Sequence, residues 1–259
     1  GGLITLDALS RETRIRERFT VLAEAASTVA TPQIRNVGTL AGNVCQRPWC
    51  WYFRNGFHCY KAGGNQCFSA TGENQFHALF GGGPSYIVHP SDTAPALVAL
   101  DARMLIIGPQ GKREVPASEF FTLPRENPAR ENVLQADEVL ASVTLPRPTI
   151  GSRSVYHKVM DRESWTHAIV SVAVVAELEG DVCRSARIVL GGVAPTPWRV
   201  PEAERVLIDQ PLTPSVSAQA AEQAIAGARP LSKNGYKVAL ARATVERALA
   251  SVSGRSQGS

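Results

Sequence analysis

A chain of 259 residues, 44% hydrophobic and 19% charged, has the material for one large domain or two medium ones around a buried core. Its net charge of +4 is spread along the chain rather than gathered on one segment, which excludes a nucleic-acid footprint. No run approaches the roughly 18 apolar residues of a membrane helix, "GGLITLDALS" has no signal-peptide pattern, and an odd count of five cysteines argues against a secreted disulfide framework.

In chain order, Leu3–Leu9 reads as a short strand. Residues 14–26 follow with Phe19, Leu22 and Ala26 at helical spacing. "TPQIRNVGTLAGN" interrupts that pattern, with Pro32, Gly38 and Gly42 punctuating a loop. Residues 45–83 show no sustained period, and so long an irregular stretch inside a domain points to function or to a metal staple. "HPSDTAPALVALDA" predicts a helix capped by Ser91 or Asp92, with Ala94, Leu97 and Val98 as its apolar stripe.

Residues 103–108 and 112–116 flank Pro109-Gln110-Gly111 as a hairpin, and "DEVLASVTLP" is a strand closed by Pro146. The Pro- and Gly-rich stretch 146–151 marks a domain boundary. "SVYHKVM", "AIVSVAVVAEL" and "CRSARIVLGGV" read as three strands, the last two turning at Glu179-Gly180-Asp181. Helical patterns cover 201–208, 216–228 and 236–251, and the tail 254–259 reads as disordered. The expectation is an α+β chain with one domain over 1–147 and a second over 152–253, the latter an antiparallel three-stranded sheet plus helices.

Four of the five cysteines fall in one loop, as Cys45-x4-Cys50-x8-Cys59-x7-Cys67. Structural zinc sites repeat a short-spaced pair, and this segment has no mirrored pair. Iron–sulfur clusters accept irregular spacing, because their ligands come from separate turns. Zinc, disulfides and plain buried thiols stay open on spacing alone. Trp49, Trp51, Tyr52 and Phe53 bury the loop, and the same packing lowers the dielectric around any redox centre. Cys183 reads as a core residue, and His58, His77 and His89 as structural or exposed histidines.

"TLAGN" is a second feature. Gly42 permits close backbone approach, Thr39 adds a hydroxyl and Asn43 an amide. Such a turn is either structural or an anion-binding concavity.

Taken in order, "IRNVGTLAGN", "HPSD", "DEVLASVTLP", "YHKV" and "LGGVAPTPWR" resemble the flavin subunit of molybdenum hydroxylases, the xanthine dehydrogenase and aldehyde oxidoreductase family. The resemblance runs from Gly2 to about Val252. It implies a PCMH-type FAD-binding domain, with the segment carrying the first FAD loop absent from the chain as given. A CO-dehydrogenase-flavoprotein-like C-terminal domain would follow. It also implies that Thr39, Ala41, Gly42 and Asn43 line the FAD diphosphate. Ser91 and Asp92 would bind at the flavin side, and Leu140 and Lys158 would lie close to the isoalloxazine or its chain.

A subset similar to the flavin subunits of periplasmic aldehyde oxidoreductase and 4-hydroxybenzoyl-CoA reductase carries a loop with a [4Fe–4S] cluster. There Cys50, Cys59 and Cys67 match three ligands and the fourth falls at Ser85, which leaves Cys45 as the alternative thiolate. The implied role is an FAD-binding oxidoreductase subunit that does not act on substrate alone. Its implied setting is a hetero-oligomer with a molybdenum-cofactor large subunit and a [2Fe–2S] small subunit, cytoplasmic or exported with a partner. The alternative reading is a zinc-binding structural subunit without flavin.

Overall fold

The computed structural model describes residues 1–163 and 166–254. Its N-terminal third is built from short helices where the sequence reading expected a strand and a loop. Leu6–Arg11 is helix α1, not strand: Thr5 caps it by accepting the Ala8 amide at 3.2 Å, and Asp7 and Arg11 suit its two ends. The helix expected over 14–26 is two, α2 (Thr13–Arg18) and α3 (Thr20–Ser27), broken where Phe19 leaves helical dihedrals. "TPQIRNVGTLAGN" is also helical. Thr31 caps α4 (Pro32–Val37) with Pro32 in its first turn, Gly38 ends it, and Thr39 caps α5 (Leu40–Val44). Pro and Gly here punctuate helices rather than exclude them.

The cysteine segment carries one helical turn, α6 (Trp51–Arg54), and two 3-10 turns at Tyr60–Ala62 and Phe68–Ala70. Helix α7 (Thr93–Ala99) forms as expected, and Ser91 supplies the cap, its Oγ accepting the Ala94 amide at 3.0 Å. Strands β1 (Arg103–Gly108), β2 (Gly111–Pro116) and β3 (Val139–Thr144) make an antiparallel sheet in the order β2-β1-β3, with α8 (Ala117–Phe120) between β2 and β3 in the chain.

The second sheet runs β4 (Ser152–Val159), β5 (Val170–Glu179) and β6 (Val182–Gly191), antiparallel throughout. Two-residue strands β7 (Trp198–Arg199) and β8 (Gln210–Pro211) extend it at β6. Helices α9 (Pro201–Leu207), α10 (Pro214–Ile225) and α11 (Tyr236–Val252) complete the chain. The expected tail lies outside the described residues beyond Gly254.

The continuous apolar run of β5 has a direct cause. Alternate residues of a strand face opposite sides. Val170, Val172, Val174 and Ala176 pack into one core with α9, α10 and α11, while Ala173 and Val175 join Tyr156 and Val189 in the other, with α1, α3 and α7. Both faces of the sheet are therefore buried. Helix α3 also covers the outer edge of β4, where Glu24 accepts the Tyr156 amide at 2.7 Å and Ser154 accepts the Val21 amide. Cys183 is fully buried in the C-terminal core.

Candidate functional site

A cleft of about 370 Å³ opens where the N-terminal helices, the cysteine loop and the β4–β5 connection meet. One wall is apolar, from Leu6, Val29, Ala30 and Ile34; the opposite side is polar, from Thr39, Asn43, Gln46, Arg54, Asp92 and His167. Thr39, Gly42, Asn43 and Asp92, separated in sequence, thus border one space. A Cβ at Gly42 would meet only the Thr39 hydroxyl, at 3.1 Å, so the missing side chain leaves its backbone open to the cleft.

The amides of "TLAGN" do not form a free anion nest. Leu40 and Ala41 donate to the carbonyls of Ile4 and Gly2, both at 2.9 Å, Gly42 to Thr39 Oγ1, and Asn43 to the Thr39 carbonyl. These pairings satisfy the first turn of α5 internally. What the turn offers a ligand is steric room and side chains.

Behind the cleft lies a buried polar network. Asn43 Oδ1 accepts from Ser91 Oγ and Thr93 Oγ1, both at 2.6 Å, and so ties α5 to the start of α7. Asp92 accepts from the Tyr156 hydroxyl at 2.7 Å on one oxygen and from Lys158 Nζ at 2.8 Å on the other. Tyr156 and Lys158 are two apart on β4, so both reach the same face. Lys158 also donates to the carbonyls of Thr28 and Thr166, at 2.9 and 3.2 Å. The Lys158 and Asp92 side chains are 1% and 5% exposed.

Burial pushes the Asp92 carboxyl above its ordinary value, opposed by Lys158 and the Tyr156 hydrogen bond. Burial and the adjacent Asp92 raise the Tyr156 phenol well above 10, so it stays a donor. His167 is pushed down to about 4, first by burial and then by the Arg54 and Lys158 cations, and is neutral at pH 7.

Of the other expected residues, Ser91 is buried behind the cleft and Lys158 stands behind Asp92 with its three hydrogens spent on the protein. Ala41 and Leu140 pack into the N-terminal core and do not border the cleft. Sequence reading missed Val29, Ala30, Arg54, His167 and Tyr156. Only Tyr156 left a signal, its position two residues before Lys158.

The cysteines divide. Burial raises the Cys50 thiol, with Cys67 and Cys59 adding to the shift, so these three share one electrostatic neighbourhood. His77 Nε2 lies 3.3 Å from Cys50 Sγ, and the Tyr86 amide, beside the buried Ser85, donates to Cys67 Sγ at 3.5 Å. Cys45 stands at the end of α5 and packs against the N-terminal core, and burial raises its thiol to about 11. All five cysteines are free thiols, against the disulfide alternative. The zinc alternative finds no support, since among the described residues no three His, Cys, Asp or Glu side chains converge to hold a metal ion.

Two fastenings hold this loop. Lys61 is buried against Glu131 at 3.2 Å and the Arg130 carbonyl at 2.6 Å. On the other side Asn234 and Lys237 grip the His77 carbonyl at 3.0 and 3.1 Å. The aromatics pack as expected, Trp49 on Phe76 and Tyr52 on Phe57, and Arg47 lies over the Phe53 ring at 4.8 Å.

Residues 1–148 match the family model of the FAD binding domain in molybdopterin dehydrogenase, and residues 155–252 that of the CO dehydrogenase flavoprotein C-terminal domain. The chain is 37% identical over 255 residues to the aldehyde oxidoreductase FAD-binding subunit PaoB of Escherichia coli K12, covering 96% of this chain and 76% of that protein. It is 28% identical over 240 residues to the carbon monoxide dehydrogenase medium chain of Hydrogenophaga pseudoflava, covering 91% and 67%. A solved structure of carbon monoxide dehydrogenase from that organism, lacking the Mo-pyranopterin moiety of the molybdenum cofactor, superposes with a TM-score of 0.74 at 26% identity, covering 99% of this chain and 75% of that one. The open backbone at Gly42, the mixed walls of the cleft and the arginine on its lining fit a flavin dinucleotide, and with these matches the chain belongs to the FAD-binding medium subunits of the molybdenum hydroxylase family.

Proposed function

We propose that this chain is the electron-transfer flavoprotein subunit of a molybdenum-dependent hydroxylase of the xanthine or aldehyde oxidoreductase type. In the assembled enzyme a large subunit oxidises substrate at its molybdenum cofactor, a [2Fe–2S] small subunit relays the electrons, and this subunit hands them to an external acceptor. FAD supplies the junction, since a flavin takes electrons singly and gives them up in pairs.

The observation that carries the reading is the single cleft bordered by Thr39, Gly42, Asn43 and Asp92. Gly42 and Asn43 give the diphosphate room and an amide. The apolar wall of Val29, Ala30 and Ile34 excludes water from a ring system. Lys158 and Tyr156 fix Asp92 in place, so the floor is organised before a ligand arrives. The unit over 1–147 holds the cofactor in this reading, and the unit over 152–253 braces it through β4.

The cysteine loop is proposed to hold a [4Fe–4S] cluster through Cys50, Cys59 and Cys67, with Cys45 or Ser85 as the fourth ligand. The raised Cys50 thiol, to which Cys67 and Cys59 contribute after burial, and the nitrogens set against Cys50 and Cys67 support it.

The test is iron, sulfide, zinc and flavin analysis of the assembled enzyme purified without oxygen. The expected result is FAD together with about four iron and four sulfide beyond those of the partner subunits. Zinc without sulfide would sink the cluster; absence of flavin would sink the electron-transfer reading.

A further inference from the structure

Arg54 belongs to the cysteine loop by sequence and to the flavin cleft by position. Cys50 caps α6, its carbonyl accepts the Arg54 amide at 2.9 Å, and the guanidinium at the end of that turn borders the cleft across from α5. Its Nε donates to the Pro48 carbonyl at 3.2 Å, and among the described residues no carboxylate pairs with it. The remaining guanidinium donors are therefore available to a ligand.

The charges around the cleft reduce to this one. Asp92 is the acidic residue on its lining, and Lys158 neutralises it from behind at 2.8 Å. His167 is neutral at pH 7, held down partly by Arg54 itself. Thr39, Asn43 and Gln46 are polar without charge. Among the described residues, the lining therefore presents one positive charge without a carboxylate partner, Arg54, in the same cleft as the open backbone of Gly42. A planar guanidinium with several parallel donors matches phosphate oxygens better than any other side chain.

We propose that Arg54 contacts the diphosphate of the bound dinucleotide, so that the cysteine loop supplies a wall of the FAD site. The inference rests on the reading of this cleft as the FAD site. It also gives the loop a task separate from electron transfer. Whatever fixes Cys50 fixes the one-turn helix that carries Arg54, and so a filled cysteine site favours a filled flavin site, and the reverse by linkage.

The experiment is FAD titration of the deflavinated complete enzyme, wild type against Arg54→Gln, at low and high salt, followed by flavin fluorescence. Losing one charge-assisted contact weakens FAD roughly 10- to 100-fold and flattens the salt dependence of the dissociation constant. Arg54→Lys, which keeps the charge but loses the fork, falls between the two and retains the salt dependence. Equal affinity in wild type and Arg54→Gln, or an unchanged salt slope, overturns the assignment while leaving the FAD reading intact. Wild-type enzyme that takes up no FAD overturns both. Should Arg54→Gln fail to fold, the wild-type slope decides alone: affinity falling with salt supports the contact, and a flat response overturns it.

Discussion

Lys158 is held entirely by the protein. Its three ammonium hydrogens go to Asp92 and to the carbonyls of Thr28 and Thr166, which leaves none for a flavin. Asp92 and Lys158 both stand out in the sequence, but their pairing spans 66 positions and depends on β4 lying against the start of α7. Strand alternation from Lys158 to Tyr156 was the part within reach. Because both charges are buried, removing one strands the other. Lys158→Met is expected to cost about 3–5 kcal/mol, read as a lower urea midpoint at unchanged m, and the double variant with Asp92→Asn should recover part of the loss. A loss below about 1 kcal/mol would mean that the pair is solvated.

At the scale of elements, strands and long helices were legible because their periods are long enough to count: β1 to β6, α7, α10 and α11 fall where the pattern put them. Of the N-terminal helices, α2 and α3 were read as one helix, while α1, α4 and α5, five or six residues each, have too few turns to show a stripe. Their capping residues were nevertheless in the sequence, as Thr5, Thr31 before Pro32, and Thr39. The cysteine loop was legible as a loop, but its fastenings were not.

Lys237, the second residue of α11, is buried and donates to the carbonyls of Phe76, His77 and Gly192 at 3.2, 3.1 and 2.6 Å. Gly192 sits at a φ of 70°, where a Cβ would strike the Ala168 carbonyl at 2.7 Å, so this knot admits no larger residue there. Lys237→Met removes the donor from the Phe76 and Gly192 carbonyls and leaves the His77 carbonyl to Asn234 alone, and a loss of at least about 2 kcal/mol is expected as a lower urea midpoint. Wild-type stability would show that the loop is held without Lys237.

The whole molecule is two cores sharing one sheet, and the cleft opens beside the N-terminal core, at the β4–β5 connection. Fold class was legible because the sheet-plus-helix order is carried by local pattern; the cleft was not, because its walls come from segments far apart in the chain. Three histidines packed into the fold tie this arrangement to pH. Burial pushes His77, His89 and His167 down to about 4, from an ordinary value of 6.5. Between those values the unfolded chain takes up protons that the folded one refuses. The stability they contribute is full above pH 6.5 and lost as pH falls towards 4, by up to about 1.4 kcal/mol per pH unit for each histidine. Urea midpoints at pH 7, 6 and 5 should fall progressively, and midpoints independent of pH would contradict the buried, neutral state.

The most direct measurement is FAD bound per subunit in the assembled enzyme, compared between wild type and Gly42→Leu. Gly42 borders the cleft, and a side chain there meets only the Thr39 hydroxyl, at 3.1 Å, which must give by a few tenths of an ångström. About one FAD per wild-type subunit is expected, with little in a variant that still unfolds cooperatively at the wild-type midpoint. Flavin retained at full stoichiometry in Gly42→Leu would move the cofactor to another site, and a wild-type enzyme without flavin would contradict the account as a whole.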